Sequence, residues 1–303
     1  MSVSDWGDGD GDGEARAAGE EGNGRWEAHG VLAKLSWAAR TEPGDVRPHN
    51  EDWVGVHAST APDDAWTQGP LFVVADGMGG HAAGEVASRV AVEAMLASWT
   101  AGTPPPAQQA LRGAARDANV AVYDAALEQG RRGMGTTMVA LTLAGTEALV
   151  ASIGDSRAYL VRDGEVTQLT VDHSKVGEMV RMRLLTNEQA AQHPMRSVLT
   201  RCLGQDVAAK VDLARFDTRR DDSFVLCSDG LWDVVGKADL AEVVGGIGSD
   251  KWPTPRDAVD ELMARALGRD APDNVTCAIV RVTSNRPIPA AAGRRPFLFR
   301  RGR

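Results

Sequence analysis

The chain has 303 residues, of which 43% are hydrophobic and 25% are charged. These fractions are typical of a globular protein with a full hydrophobic core, and they exclude a chain that is disordered throughout. The net charge is −9, so the chain lacks the excess of Lys and Arg that a nucleic-acid-binding protein needs, and we expect no nucleic-acid partner.

Charge and composition divide the chain into three parts. Residues 1–27 are rich in Asp, Glu and Gly, whereas residues 284–303 contain six arginines and no acidic residue. Such biased segments are typical of disordered tails. We therefore predict an acidic tail over 1–27, one folded domain over 28–283 and a basic Arg/Pro/Phe tail over 284–303. An alternative for the basic tail is a docking peptide, because its apolar rings lie among guanidinium groups.

The central part alternates between strand-like and helix-like segments. In chain order we predict a strand over Leu71–Ala75, helices over Gly84–Trp99 and Ala107–Gln129, strands over Thr136–Leu143, Ala148–Ile153, Arg157–Val161, Val211–Phe216 and Phe224–Cys227, helices over Asp239–Val244 and Thr254–Leu267, and a strand over Val275–Val282. The stripe Val86, Val90, Ala94 and Trp99 is the predicted apolar face of the first helix. Hairpin-linked strands with helices between them indicate an α+β fold in which helices cover antiparallel sheets.

Acidic residues recur where these strands begin or end. They are Asp76, Asp155 and Asp229 after strands, and Glu51, Asp52 and Asp273 before strands. A turn explains any single Asp-Gly pair, but carboxylates that converge repel one another unless cations or protons neutralise them. Oxygen ligands without a Cys or His cluster favour Mg²⁺ or Mn²⁺ over structural zinc. Gly77 lacks a Cβ, so its carbonyl can approach such an ion beside Asp76.

Six short motifs occur in order along residues 28–283. They are Arg47-x-x-Asn50-Glu51-Asp52, Asp76-Gly77-Met78-Gly79-Gly80, Gly135-Thr136-Thr137, Gly154-Asp155-Ser156-Arg157, Ser228-Asp229-Gly230-Leu231-Trp232-Asp233 and Asp273-Asn274. Each motif alone is weak, but together they resemble the metal-dependent protein phosphatases of the PP2C/PPM type in their bacterial form. The resemblance implies an αββα sandwich of two central antiparallel sheets flanked by helices, with a flap subdomain over about residues 172–204.

The same resemblance implies a centre of two, or with a further site three, Mn²⁺ or Mg²⁺ ions. The residues that it assigns to the metal are Glu51, Asp52, Asp76, Gly77, Asp155, Asp229 and Asp273. Asp76 is expected to bridge two ions, and Asp155 is expected to hold a third ion together with Asp229. Glu51 and Asp52 are expected to support the pair, in part through water.

The activity that the resemblance implies is hydrolysis of phosphoserine and phosphothreonine in proteins, by attack of a water that bridges the two ions. Arg47 is expected to bind two phosphate oxygens through its planar guanidinium group, which a lysine does not match. Arg47 and Asp76 are therefore the expected catalytic residues. The expected partners are phosphorylated proteins, namely the substrates of a serine/threonine kinase and the kinase itself, and the phosphatase is expected to act as a monomer.

Some relatives carry a His directly after the Asp-Gly pair as the general acid. The residue at this position is Met78, which has no proton to donate, and His81 does not inherit the role by proximity. The identity of the general acid therefore stays open.

Two other interpretations compete with this one. A phosphatase-like binding module without turnover is disfavoured because none of the expected acidic residues is missing. A second alternative keeps the enzyme but restricts it to one dedicated regulator. Aspartyl-phosphate and cysteine-based phosphatases are excluded because the chain has neither D-x-D after the strand nor C-x₅-R, and Cys227 and Cys277 are predicted to be buried and inert.

The location is predicted from features that the sequence lacks. No apolar run reaches the ~18 residues of a membrane helix, and the N-terminus does not resemble a signal peptide. The three cysteines are odd in number and unpatterned, which favours a reducing compartment. We therefore expect a cytoplasmic protein without a transmembrane segment.

Overall fold

The structure is a computed structural model that describes residues 15–21, 25–32, 34–58, 69–79, 83–101, 106–128 and 131–284. The described residues form strands and helices in a mixed order. They are β1 (Ala15–Glu21), β2 (Arg25–Leu32), β3 (Leu35–Glu42), β4 (Asp52–His57), β5 (Leu71–Met78), α1 (Ala83–Thr100), α2 (Ala107–Ala126), β6 (Gly135–Thr136), β7 (Met138–Ala144), β8 (Glu147–Ile153), β9 (Arg157–Arg162), β10 (Glu165–Gln168), α3 (Lys175–Arg181), α4 (Asn187–Ala191), β11 (Asp212–Asp217), β12 (Ser223–Cys227), α5 (Asp229–Trp232), α6 (Lys237–Gly245), α7 (Pro255–Leu267) and β13 (Val275–Val282).

The strands form two sheets in which neighbouring strands are antiparallel. The first sheet has the order β1-β2-β3-β13-β12-β9-β10. The second has the order β11-β8-β7-β5-β4, with β6 paired to the end of β5. In both sheets, strands that are distant in sequence are neighbours, so the pairing brings distant segments to the same sheet edge.

The central strands are buried on both faces, which explains why they are continuously apolar in the sequence. In β5, Phe72 and Val74 enter the core between the sheets, while Val73 faces α1 and α2. In β12, Phe224 also enters the core between the sheets, while Val225 faces the layer formed by α5, α6 and α7. The layers therefore run helices, sheet, sheet, helices, which is the αββα sandwich predicted from the sequence.

The N-terminal boundary of the folded domain differs from the prediction. Residues 15–21 and 25–27 were predicted as part of a disordered tail, but they belong to the strands β1 and β2. β2 is ordered by pairing with β3, and its residues Ala28 and Leu32 are buried in the core between the sheets. The domain therefore begins before residue 28, while the remaining tail predictions, for residues 1–14 and 285–303, lie outside the described residues.

The buried face of α1 also differs from the prediction. Trp99 is buried as predicted, but Val86, Val90 and Ala94 are only partly buried. Ala87 and Ala91 are fully enclosed instead. The small alanine side chains allow the helix to lie directly against the sheet, so the stripe of smaller residues turns inward. The prediction was right for Trp99 but displaced for the other three residues, because apolar periodicity does not by itself select the side that gives the closest packing.

Phe72 is fully buried in the core between the sheets. Its ring packs edge-on against Trp37, with a distance of 5.6 Å between the ring centroids. We expect Phe72→Ala to lower the free energy of unfolding by about 3–5 kcal/mol, because the cavity between the sheets cannot close. Urea denaturation of metal-free protein measures this. Val120→Ala, on an exposed position of α2, is the control and should change stability by less than about 0.5 kcal/mol. Equal losses for both variants would contradict the assignment of this core.

None of the helices in the described part of the chain combines the length and apolar character needed to cross a bilayer.

Candidate metal and phosphate site

The predicted acidic residues converge at one end of the sandwich. Asp76 lies near the end of β5, and Asp52 lies directly opposite it at the start of β4. Asp155 follows β8, and Asp229 begins α5 just after β12. Asp273 precedes β13, the antiparallel neighbour of β12. Strand pairing therefore brings these residues to one edge, although Asp52 and Asp273 are more than two hundred positions apart in the sequence.

Asn274 fixes the loop between β3 and β4 against the start of β13. Its side-chain amide donates to the carbonyls of Pro43 (2.9 Å) and His49 (2.8 Å), and its side-chain oxygen accepts from the Glu51 amide (2.8 Å). The loop held in this way carries Arg47, whose Nη2 donates to Asp273 Oδ2 at 2.7 Å. No role was predicted for Asn274, although its place in the Asp273-Asn274 motif was the available signal.

Asp52 lies beneath the other carboxylates as a fully enclosed hydrogen-bond acceptor. Its Oδ2 accepts from the hydroxyls of Ser228 and Thr276, each at 2.6 Å. Burial raises the pKa of Asp52 well above its usual range, while the two hydroxyl bonds oppose this shift. Asp52 therefore ties β4 to β12 and β13, and its contacts fit a supporting position better than a direct ligand position.

Gly77 allows three backbone segments to meet beside Asp76. Its amide donates to the Glu51 carbonyl at 3.0 Å, and a Cβ at this position would collide with the Gly84 carbonyl. A Cβ on Gly84 would in turn lie 2.8 Å from Glu51 Cδ. The close approach of these segments requires glycine, and it fixes the end of β5 against the first turn of α1.

The carboxylates raise one another's proton affinity. Burial raises the pKa of Asp76 well above its usual range, and the neighbouring carboxylates raise it further. Burial and Asp273 raise the pKa of Asp229 to about 6, against a hydrogen bond with the Asp76 carboxyl. Burial and Asp229 likewise raise the pKa of Asp155 to about 7. A cluster with such shifts favours the binding of protons or cations.

The donor set fits hard divalent ions. Within the described residues, no three acidic, His or Cys side chains enclose an ion by themselves. Mg²⁺ and similar ions keep several waters and need few direct protein ligands, so a wider arrangement of oxygen donors suits them. A cavity of about 750 Å³ lies over Asp155, Asp229 and Asp273, with Arg47 on its wall, and leaves room for hydrated ions and a phosphate group.

The opposite wall of the cavity comes from the predicted flap, which contains α3 and α4. Arg157 donates to both oxygens of Asp172, the shortest contact being 2.6 Å, and its guanidinium stacks 3.5 Å from the centroid of the Trp232 ring. The Trp232 Nε1 donates to the Asp155 carbonyl at 3.0 Å. Arg157 and Trp232 were quoted within the sequence motifs but received no role, and the structure shows that they support the Asp155 loop.

Two further expectations concern proton donors and thiols. Met78 ends β5 opposite Gly135 and brings no proton donor to the site, while His81 lies outside the described residues. Cys202, Cys227 and Cys277 are buried and free. Burial raises the pKa of Cys202 and Cys227 to about 12, so these thiols are protonated at neutral pH. The predicted inertness of Cys227 and Cys277 agrees with this environment.

Comparisons with known proteins identify the family of the chain. The family model described as "Protein phosphatase 2C" matches residues 56–264. The serine/threonine phosphatase stp of Listeria innocua is 34% identical over 247 residues, which cover 80% of this chain and 93% of that protein. The serine/threonine protein phosphatase PstP of Mycobacterium tuberculosis is 37% identical over 270 residues, which cover 86% of this chain but 49% of that protein.

Solved structures show the same fold. The M. tuberculosis phosphatase PstP/Ppp superposes with a TM-score of 0.71 at 35% identity, over 83% of this chain and 100% of that chain. The catalytic domain of PstP in complex with two manganese ions gives a TM-score of 0.70 at 34% identity, over 83% and 99% of the two chains. The resemblance and the sandwich fold predicted from the sequence are thus confirmed, and the chain belongs to the protein phosphatase 2C family of hydrolases.

Proposed function

We propose that the chain is a Mn²⁺- or Mg²⁺-dependent protein serine/threonine phosphatase that hydrolyses phosphoserine and phosphothreonine in proteins. The observation that carries this proposal is the convergence of buried and half-buried carboxylates below a cavity whose wall includes Arg47. The relatives support it, since they are named serine/threonine phosphatases and one is solved with two manganese ions.

The carboxylates have separate tasks in this proposal. A pair of divalent ions, when bound, supplies an activated water for in-line attack on phosphorus. Asp76 would hold both ions, together with Gly77, Asp229 and Asp273, because it lies opposite Asp52 and shares a hydrogen bond with the Asp229 carboxyl. The charge of Asp229 raises the pKa of Asp155, and both residues line the cavity that the predicted flap also lines. We place a third ion at these two carboxylates.

Glu51 and Asp52 support this centre from below. The Glu51 carbonyl accepts from the Gly77 amide and from Ser88 Oγ (2.6 Å), which fixes the backbone beside Asp76. Burial raises the pKa of the Glu51 carboxyl against the opposing charge of Arg47. We therefore place Glu51 close to the ions, with waters between them, and Asp52 beneath as an anchor of the strands.

Arg47 binds the phosphate in this proposal. Its side chain is 49% exposed, and one of its nitrogens contacts Asp273. A guanidinium group has five N–H donors, so the contact with Asp273 orients the group while the other donors remain available for phosphate oxygens. The rigid fork can then bind two non-bridging oxygens at once.

Arg47→Lys is expected to raise KM for a phosphothreonine peptide and to lower kcat/KM by about 10- to 100-fold, because an ammonium group loses the two-pronged contact worth about 1.5–3 kcal/mol. Steady-state kinetics at saturating Mn²⁺ measure this. Arg215→Lys, on the exposed side of β11, is the matched control and should behave like the wild type. A loss in kcat alone, with KM unchanged, would contradict a role in phosphate binding.

The test of the proposed specificity compares one peptide in three forms. Phosphate release is measured from the phosphothreonine, phosphoserine and phosphotyrosine versions of the same sequence, with Mn²⁺ present. We expect turnover of the first two and much slower turnover of the third. Equal rates for phosphotyrosine, or no turnover of any form, would contradict the proposal.

The physiological substrates in this proposal are the products of a serine/threonine kinase, including the phosphorylated kinase itself. Incubation of an autophosphorylated bacterial kinase domain with the phosphatase, followed by mass spectrometry, tests this directly. Retention of all phosphothreonines on the kinase would overturn this part of the proposal. The cytoplasmic location and the monomeric state stay predictions.

A further inference from the structure

His173 is a fully buried residue that contacts the loop carrying Asp155. Its backbone amide donates to the Gly154 carbonyl at 2.8 Å, and its ring Nδ1 accepts from the Gly154 amide at 3.1 Å. One residue thus satisfies both backbone polar groups of the residue that precedes Asp155. Neither the sequence motifs nor the proposed mechanism gives His173 a task.

The hydrogen bonds fix the tautomer of the His173 ring. A backbone N–H can only donate, so Nδ1 carries a lone pair and the proton of the neutral ring lies on Nε2. Nε2 lies 3.1 Å from Asp212 Oδ2, and Asp212 Oδ1 accepts from Arg201 Nη1 at 3.0 Å. Burial lowers the pKa of His173, which keeps the ring neutral, and Asp212 opposes this shift. Arg201 and Asp212 therefore hold Nδ1 in the acceptor state.

The loop that receives this contact is packed tightly on its other side. Gly154 has a φ of +97°, and a Cβ there would lie 2.6 Å from Thr137 Cβ. Thr137 Oγ1 accepts from the Asp76 amide at 2.9 Å and lies 2.7 Å from Ser156 Oγ. Trp232 holds the Asp155 carbonyl from the cavity side. Among the described contacts, the His173 ring is the only side chain that hydrogen-bonds the backbone of Gly154. Without it, no described side chain would hold the residue that precedes Asp155.

We propose that His173 is a positioning residue, which holds the Asp155 carboxylate in register with Asp229 through the acceptor function of Nδ1. The inference rests on the proposed function in one respect, since it assumes that Asp155 and Asp229 share an ion. Residues that orient metal ligands through hydrogen bonds commonly change metal affinity by about 10- to 100-fold when mutated. The bulk of the ring fills the core, but the proposal assigns the effect to one nitrogen atom.

A matched pair of variants separates the nitrogen atom from the bulk of the ring. In His173→Asn the amide oxygen can take the position of Nδ1 and accept from Gly154. In His173→Gln the amide reaches the position of Nε2, so the contact with Asp212 is kept while the Gly154 amide loses its acceptor. Both variants are uncharged and smaller than the wild-type ring, which makes each the control for the other.

Mn²⁺ binding is measured by calorimetry without substrate, and exchange of the Gly154 amide is measured by NMR. We expect His173→Gln to weaken the weakest Mn²⁺ site by about tenfold or more and to speed up Gly154 exchange. His173→Asn should stay close to the wild type in both. In the Asp155→Asn background, His173→Gln should cause little additional loss of Mn²⁺ affinity, because the anchored ligand is already absent.

Equal effects of the two variants, or an unchanged Gly154 exchange in His173→Gln, would overturn the inference. Additive losses with Asp155→Asn would also overturn it. If His173→Gln does not fold, Asp212→Ala decides the question. Asp212 is 39% exposed, so its truncation leaves no cavity in the core, and without its carboxylate the proton of the His173 ring is no longer held on Nε2. Gly154 exchange that is unchanged in Asp212→Ala would count against the inference. These measurements need no phosphopeptide. A failure of the proposed phosphatase activity would appear only in the peptide assay, so it can be distinguished from a failure of this inference.

Discussion

Asp76→Asn is expected to lower kcat/KM for a phosphothreonine peptide by about three orders of magnitude or more, which corresponds to about 4 kcal/mol of transition-state stabilisation. The amide has the same shape as the carboxyl but carries no charge, so it cannot bridge two cations. Initial rates at saturating Mn²⁺ measure this effect. Asp124→Asn, on an exposed position of α2, is the matched control and should keep the wild-type rate.

The same variant is expected to be more stable than the wild type when the metal is removed. The folded-state pKa of Asp76 is raised, so the wild type loses stability as the pH rises from the unfolded value of a carboxyl towards the folded value. An asparagine does not titrate, so the stability gain of Asp76→Asn should grow as the pH rises above the ordinary pKa range of a carboxyl. Thermal unfolding in chelator measures this.

A variant that is both inactive and more stable cannot owe its inactivity to misfolding. A loss of activity below tenfold, or a metal-free variant that is less stable than the wild type at pH 8, would contradict the proposed bridging role of Asp76.

Removal of divalent ions is expected to abolish hydrolysis and to lower the melting temperature. The carboxylates of Asp76, Asp155 and Asp229 repel one another, and cations that bind only the folded state stabilise it. At an ion concentration of 100 times Kd, this stabilisation is about 2.7 kcal/mol per site. Activity and thermal unfolding are followed during titration of chelated protein with Mn²⁺.

Two controls sharpen this experiment. Mn²⁺ should raise the melting temperature of Asp76→Asn much less than that of the wild type, and Asp124→Asn should follow the wild type. Full activity in excess EDTA, or a melting temperature that Mn²⁺ does not change, would contradict a metal-dependent site built from these carboxylates.

Much of the fold was predictable because a strand that is buried on both faces appears in the sequence as a continuous apolar run. The strand that contains Phe72 and the strand that contains Phe224 are continuous apolar runs, since both faces of each strand are covered. The predicted helix α7 was equally clear, because Thr254 and Asp257 form a capping box and Pro255 starts the helix. These signals are local, so they do not depend on knowing which segments are neighbours.

The acidic residues of the candidate site were predictable for the same reason, since each lies in a short motif at the beginning or the end of a strand. The convergence of these residues in space could not be predicted from neighbouring residues in the sequence. It depends on the pairing of β4 with β5 and of β12 with β13, and on the side-chain bonds by which Asn274 holds the preceding loop. Only the resemblance to a family brought these motifs together before the structure did.

The sequence alone therefore determined which residues can carry the chemistry and which segments are strands or helices, because composition, period and capping act over a few neighbouring residues. The tertiary structure decided the rest. It showed that β1 and β2 join the domain, that α1 turns its alanines to the sheet, and that His173 contacts the residue before Asp155. Each of these depends on contacts between segments that are distant in the chain, and side-chain packing and strand pairing select such contacts only when the whole domain is assembled.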